Sequence, residues 1–163
     1  MVGDPADTEK IYSWIADIPD PEIPVISISD LGMLRKVEYK NGKYVITITP
    51  TYTACPAMKM IEDEIIETLH KKDIDNVKVD LVYHPAWTTD WINESARLKL
   101  KRYGIAPPQY SMCSNVLATD KLVFCPRCNS KDTEVISKFG STACKALYKC
   151  NSCKEPFDYF KCH

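Results

Sequence analysis

Two Cys-x-x-Cys pairs lie in the last third of the chain, Cys125-Pro126-Arg127-Cys128 and Cys150-Asn151-Ser152-Cys153, with 21 residues between them. Each pair can form a tight turn on which two thiolates and nearby backbone N–H groups converge. Two such turns close a tetrahedron of sulfur ligands, so the spacing predicts a structural zinc site. Four cysteines can also hold an iron–sulfur cluster or form two disulfides, but the knuckle spacing favours a single ion over both.

The composition is that of an ordinary soluble globular protein, with 45% hydrophobic and 26% charged residues in 163. This length allows one medium domain, or a small domain with a satellite. No apolar run approaches the length of a membrane span, and the first residues lack the pattern of a signal peptide. We therefore expect a protein of the reducing cytoplasm, in which the eight cysteines do not form a disulfide framework.

The charge is unevenly distributed. Residues 1–106 hold 13 Lys/Arg against 17 Asp/Glu, and residues 122–163 hold 7 against 4. Four thiolates and one divalent zinc ion lower the charge of the second segment from +3 to about +1. This is too little for a domain that grips nucleic-acid phosphates, and the net charge of −1 gives no general attraction to anionic membranes.

Periodicity predicts a small α/β domain over residues 1–106. Helices are expected over residues 7–18, 56–71 and 88–103, from apolar residues at helical spacing and from Gly104 as the last cap. Asn41-Gly42 predicts a hairpin between strands 33–40 and 43–49, and a third strand is expected over 77–83. The fold class is an α+β sandwich of helices on a three-stranded sheet.

A linker over residues 107–121 and a zinc ribbon over 122–163 complete the prediction. Strands are expected around 133–138 and 146–149, with the aromatic residues of 156–160 as cladding for a domain whose folding depends on its metal. Cys113 in the linker is interpreted as an exposed spare thiol. Cys144, Cys162 and His163 are surplus ligands, interpreted as structural or exposed groups unless the site holds more than one zinc ion.

Cys55 follows a predicted strand and immediately precedes Pro56, which suits the first position of a helix. A thiol at a helix N-terminus faces unpaired N–H groups and the positive end of the helix dipole, which favours thiolate. Such a thiolate can act as a nucleophile, a redox centre or a ligand for a soft metal. The alternative interpretation is a small buried core residue.

Three carboxylates stand near proline-rich or glycine-containing turns: Asp20 and Glu22 in Asp20-Pro21-Glu22-Ile23-Pro24, and Asp30 before Leu31-Gly32. They can line a site. Turn and cap chemistry explains them equally well.

Several longer motifs stand out in the chain, at residues 20–24, 30–33, 51–56, 85–91, 139–150 and 155–162. The first three are similar to the small α/β domain of metal–sulfur cluster assembly proteins of the SufT-like type. Those of residues 85–91 and of the tail are similar to the PaaD (PaaJ) family, whose members are encoded with phenylacetyl-CoA epoxidase.

The resemblance implies a non-catalytic maturation factor that helps to assemble or deliver iron–sulfur or iron centres during phenylacetate degradation. It implies that Cys55 binds iron or a cluster transiently, with Asp20, Glu22 and Asp30 as neighbours, while Cys125, Cys128, Cys150 and Cys153 keep structural zinc. The implied partners are the reductase and di-iron oxygenase subunits of the epoxidase, and a homodimer through the small sheet is a further expectation.

Three other functions are compatible with the motifs. A zinc ribbon can bind nucleic acid, although the near-neutral ribbon argues against this. Cys55 could serve a thiol-dependent enzyme, but none of the three histidines is clearly placed as its base. A tail that held an iron–sulfur cluster would make the chain an electron carrier.

Overall fold

The computed structural model describes residues 5–109 and 122–161. The chain divides into two compact units, Met1–Trp87 and Thr88–His163. No helix within the described ranges is long and apolar enough to cross a membrane.

From residue 5 onwards, the first unit is a three-stranded sheet with two helices. Its elements are α1 (Pro5–Ala16), β1 (Leu34–Lys40), β2 (Lys43–Ile48), α2 (Ala57–His70) and β3 (Val77–Leu81). The sheet order is β1-β2-β3, with β2 antiparallel to β1 and parallel to β3. This arrangement confirms the predicted α+β class.

Local chemistry explains these elements. Asn41 and Gly42 have φ of 51° and 78°, the two positive values that a type I′ hairpin requires. Alternation along β2 buries Tyr44, Ile46 and Ile48 on one face of the sheet. The apolar stripe of α2 is also buried, and Ile11 and Ile15 of α1 join this core, which accounts for the predicted amphipathic helices.

Within residues 88–109 and 122–161, the second unit contains one α-helix and a four-stranded sheet. A 3₁₀ turn at Thr89–Trp91 precedes α3 (Glu94–Tyr103), and the strands are β4 (Ile105–Ala106), β5 (Thr133–Ser137), β6 (Lys145–Cys150) and β7 (Pro156–Phe160). The sheet order is β4-β7-β6-β5. Asn93 caps α3 by accepting the N–H of Ala96 at 2.7 Å, and Gly104 ends the helix at φ 95°.

The third helix starts later than predicted, and it belongs to the second unit rather than to the first. It begins at Glu94 rather than at residue 88, and its last residue, Tyr103, is 56% exposed. Helix α3 and strand β4 fall in the second unit, whereas the predicted first domain extended to residue 106. The physical reason is strand pairing, since β4 lies parallel to β7 with Ile105 opposite Asp158 and Ala106 opposite Tyr159.

The aromatic segment near the end of the chain is a strand rather than cladding. In β7, Phe157, Tyr159 and Phe160 are all at most 5% exposed, and the strand pairs with both β4 and β6. Phe157 and Tyr159 belong to a buried cluster that also includes two of the knuckle cysteines, Cys125 and Cys150. The second unit therefore has an apolar core in direct continuity with its cysteine site.

Candidate functional site

The two Cys-x-x-Cys pairs form matching knuckles. The residue after each pair, Asn129 or Lys154, adopts a left-handed conformation, with φ of 62° and 66°. In the first knuckle the N–H of Asn129 donates to the carbonyl of Cys125 at 2.9 Å. In the second, the N–H of Cys153 donates to the sulfur of Cys150 at 3.4 Å. Each turn thus brings its two sulfurs to the place where all four converge.

The four sulfurs converge closely enough to hold one metal ion. The Sγ atoms of Cys125, Cys128, Cys150 and Cys153 all lie within 4.8 Å of one another. Cys125 Sγ is 3.8 Å from Cys153 Sγ, and Cys128 Sγ is 3.5 Å from Cys150 Sγ. A tetrahedral ion with metal–sulfur bonds of about 2.3 Å separates its sulfurs by about 3.8 Å, so this arrangement fits a single ion.

The two other interpretations of the cysteines fit the geometry less well. A disulfide requires sulfurs about 2.05 Å apart, and these cysteines are free thiols. A multi-iron cluster holds its thiolates on different metal atoms, which spreads them farther apart than one ion does. The site is therefore a four-cysteine metal centre of mononuclear geometry.

Hydrogen bonds give two thiols of this centre very different pKa values. The N–H of Cys153, helped by Cys128 and the N–H of Ser152, lowers the pKa of Cys150 to about 6. At Cys128 the N–H of Ser130 lowers the pKa, but the hydrogen shared with Cys150 and burial outweigh it and raise the pKa to about 12. A proton held between these two sulfurs is displaced when a cation takes its place.

The surplus cysteines do not extend this centre within the described part of the chain. Cys144 is buried and its sulfur lies 3.1 Å from the hydroxyl of Thr142. Cys144 is therefore a structural residue of the second unit and not an exposed one. Cys113, Cys162 and His163 lie outside the described residues.

Cys55 lies where the loop after β2 meets α2, as the sequence predicted. Pro56 is the N-cap, with helical φ and ψ of −69° and −20°, and the N–H of Ala57 donates to the thiol of Cys55. The side chain is half-buried. This intermediate exposure excludes a fully buried core residue, the alternative interpretation.

The expectation of an activated thiolate at Cys55 is wrong for the metal-free protein. Burial raises the pKa of Cys55, because a thiolate is poorly solvated there, and the carboxylates of Glu22 and Asp20 add to the rise. The N–H of Ala57 and the side chain of Tyr52 lower the pKa, but not enough to compensate. Cys55 is therefore a protonated thiol at neutral pH.

The structure brings two of the three predicted carboxylates to Cys55. Asp20 and Glu22 act on its thiol electrostatically. Asp20 is itself buried and closes a turn, since its Oδ1 accepts the N–H groups of Glu22 at 2.9 Å and Ile23 at 2.8 Å. Asp30 closes another turn by accepting the N–H of Ser27 at 3.2 Å. Asp20 and Asp30 thus perform the turn chemistry that was the alternative interpretation.

Cys55 and the three predicted carboxylates do not form a second complete metal site. Among the residues that the structure describes, the four knuckle cysteines alone form a group of three or more converging Cys, His, Asp or Glu ligands. Sequence reasoning missed Tyr52, whose side chain hydrogen-bonds the Cys55 thiol. Its position three residues before Cys55, in the turn that leads to a helix, was the available signal.

Family models match both parts of the chain. Residues 8–82 match the iron–sulfur cluster assembly protein family. Residues 111–161 match the PaaD zinc beta ribbon domain. The second match agrees with the four-cysteine centre, and the first covers the unit that carries Cys55.

Two curated proteins are similar in sequence. A protein of Escherichia coli (strain K12), provisionally named as a component of 1,2-phenylacetyl-CoA epoxidase, is 49% identical over 97% of this chain and 94% of its own length. An Fe-S protein maturation auxiliary factor of Porphyromonas gingivalis (strain ATCC BAA-308 / W83) is 36% identical over 56% of this chain and 89% of its own.

A solved structure supports the fold. The crystal structure of a domain of unknown function from Bacillus anthracis covers 58% of this chain and 92% of its own, with 26% identity and a TM-score of 0.53.

Proposed function

This chain belongs to the PaaD family, together with the Escherichia coli protein named for 1,2-phenylacetyl-CoA epoxidase, and we propose that it is a non-catalytic factor that matures the epoxidase complex. It helps to assemble or deliver iron–sulfur or iron centres during phenylacetate degradation. Its clients are the reductase and di-iron oxygenase subunits, which it serves as a monomer or as a homodimer. The maturation role is supported by the iron–sulfur assembly family of residues 8–82.

The contrast between the two thiol sites carries this proposal. The four knuckle cysteines offer one ion a full set of ligands, so they suit a zinc ion that stays in place. Cys55 offers one sulfur with the carboxylates of Glu22 and Asp20 beside it. An incomplete ligand set leaves coordination positions for a client protein, which is what a transient carrier of iron or of a cluster needs.

The raised pKa of Cys55 fits the same role. While Cys55 is protonated, it does not bind stray metal ions. An arriving iron centre displaces the proton and binds the thiolate. The nearby carboxylates can accept that proton or complete the ligand set. The carboxylate of Asp20 also closes a turn by accepting two backbone N–H groups, which holds it in place beside the thiol.

The test compares Cys55→Ser with Cys144→Ser, which removes a different thiol, in cells that lack the native protein. We expect both variants to fold and to retain one zinc ion per chain. The reductase and di-iron subunits should contain normal iron with Cys144→Ser and markedly less with Cys55→Ser. Normal client iron with Cys55→Ser would contradict the proposal.

The four-cysteine centre also fits a mononuclear iron ion, since its knuckles donate N–H groups to sulfur. An electron-transfer role is therefore the second candidate. Metal analysis and the visible spectrum of anaerobically purified protein distinguish the two. Zinc without colour supports the structural ribbon, and iron with an intense visible spectrum supports electron transfer.

A further inference from the structure

One face of the first sheet is open and forms a groove of about 710 Å³. Alternation along the strands directs Val45 and Thr47 of β2 away from the core face that buries Ile46 and Ile48. Strand pairing sets Lys36 and Glu38 of β1 opposite these two residues. This face is called the open face below, and Cys55 is not among the residues that line it.

Positive charge is concentrated on the open face. Residues 1–87 contain nine Lys/Arg and 15 Asp/Glu, a formal charge of −6. Two of the 15 acidic residues line the groove, Glu38 and Asp80. Five of the nine basic residues line it, namely Arg35, Lys36, Lys40, Lys43 and Lys78. The groove therefore carries a formal +3, while the remainder of residues 1–87 carries −9.

The ion pairs within the groove do not neutralise its excess of positive charge. Glu38 binds two lysines at once, Lys36 at 2.7 Å and Lys40 at 3.0 Å, so one negative charge is shared between two positive ones. Lys78 pairs with Asp80 at 2.7 Å. The three lysine side chains remain 54–62% exposed, and they can exchange these weak surface pairs for carboxylates of a partner.

The floor of the groove is apolar or weakly polar. Val45 and Val82 are half-buried, and Thr47 and Thr49 are only 8% and 2% exposed. A floor of this kind under a lysine-rich rim suits an extended protein segment in which acidic and apolar side chains alternate. It suits nucleic acid poorly, because Glu38 and Asp80 would face phosphates and the excess charge is small.

The groove also leads towards Cys55 along the chain. Thr49 and Arg35 line the groove at the end of the sheet where β2 finishes. The chain reaches Cys55 six residues after Thr49. A protein segment bound along the open face would thus have one end at the loop that carries the cargo thiol.

We propose that the open face docks an acidic segment of the client protein that receives cargo from Cys55. The inference rests on the proposed function for the identity of the partner as a client. The acidic and extended character of the segment is inferred from the charge and shape of the groove alone. The docking surface and the cargo site can therefore fail independently.

The test is an NMR titration of the full chain, labelled with ¹⁵N, using a synthetic peptide of alternating Glu and Val residues as the probe. We expect shifts of amides in β1, β2 and β3, and binding that weakens as salt is raised. The variant Lys43→Glu/Lys78→Glu should weaken binding by about tenfold or more. The control Lys59→Glu/Lys71→Glu makes the same change of charge at exposed positions of α2 and of its C-cap, and it should change affinity less than about twofold.

Four results would overturn the proposal. They are the absence of shifts with the acidic peptide, an equal effect of a Lys–Val peptide, tighter binding of a single-stranded oligonucleotide to the same face, and concentration-dependent shifts showing that a second copy occupies it. The variant Cys55→Ser should bind the peptide normally. Normal peptide binding combined with normal client iron in Cys55→Ser would refute the cargo role and leave the docking surface intact.

Discussion

The indole N–H of Trp87 donates a hydrogen bond to the carbonyl oxygen of Leu31 at 2.7 Å, across 56 positions of sequence. Both residues are buried, with exposures of 4% and 1%. Gly32, the next residue, has a positive φ of 70°, so the backbone turns sharply at this point. The contact ties the turn that contains Asp30 to the segment that follows β3.

Replacing Trp87 with Phe keeps much of the apolar contact but removes the donor. The carbonyl of Leu31 then loses its partner inside the first unit, and we expect unfolding free energy to fall by about 1–3 kcal/mol. Urea unfolding followed by circular dichroism measures the change. The control Trp14→Phe alters a half-buried ring and should cost less; equal losses would show that the hydrogen bond contributes little.

Alkylation of Cys55 should report its raised pKa. The thiol is protonated at neutral pH, so its rate of reaction with iodoacetamide should rise with pH through an inflection above the ordinary cysteine value. In Glu22→Gln a carboxylate charge is lost, the thiolate is disfavoured less, and the reaction at pH 7–8 should accelerate. Peptide mapping by mass spectrometry isolates Cys55 from the other thiols. Glu64→Gln, on the exposed side of α2, is the control and should leave the rate unchanged.

Removal of the metal should unfold the second unit. Two knuckle cysteines are part of its apolar cluster, so loss of the ion leaves polar, partly ionised sulfurs in that core and removes the link between the two knuckles. A strong chelator, or Cys128→Ser, should abolish the amide dispersion of residues in β5, β6 and β7. Signals of β1, β2 and β3 should persist. Loss of both sets together would show that the two units do not fold independently.

The ion pair between Lys145 and Asp158 should contribute more to stability than the surface pairs do. The Nζ of Lys145 is 3.5 Å from the carboxylate, and its side chain is only 8% exposed. In Asp158→Asn that ammonium loses its counter-charge, and we expect a loss of about 2–3 kcal/mol, lower than for a fully buried pair because Asp158 keeps 27% exposure. Glu67→Gln breaks the exposed pair with Lys71 and should cost less than about 0.5 kcal/mol. Thermal unfolding of both variants tests the difference.

Local sequence signals were sufficient for most of the first unit. The hairpin followed from Asn41-Gly42, and the apolar periodicity of α1 and α2 identified their buried faces because short-range geometry determines both. The knuckles followed from cysteine spacing for the same reason.

Features that depend on distant segments were not predicted. Strand β4 has only two residues and exists because β7, some 50 positions later, pairs with it. The pKa of Cys55 was predicted from its own helix N-terminus, but burial and carboxylates more than 30 positions earlier reverse the direction. Neither effect is visible in a local window of sequence.

The parallel pairing of β4 with β7 determines which piece of this gene can move between proteins. A recombination event that transferred only the segment after residue 107 would leave a strand of the ribbon behind. The recipient would display the edge of β7, with free N–H and C=O groups, and would be prone to aggregate. A transplanted tail that is to stay soluble must therefore bring a strand to cover that edge, and in this chain β4 is that strand.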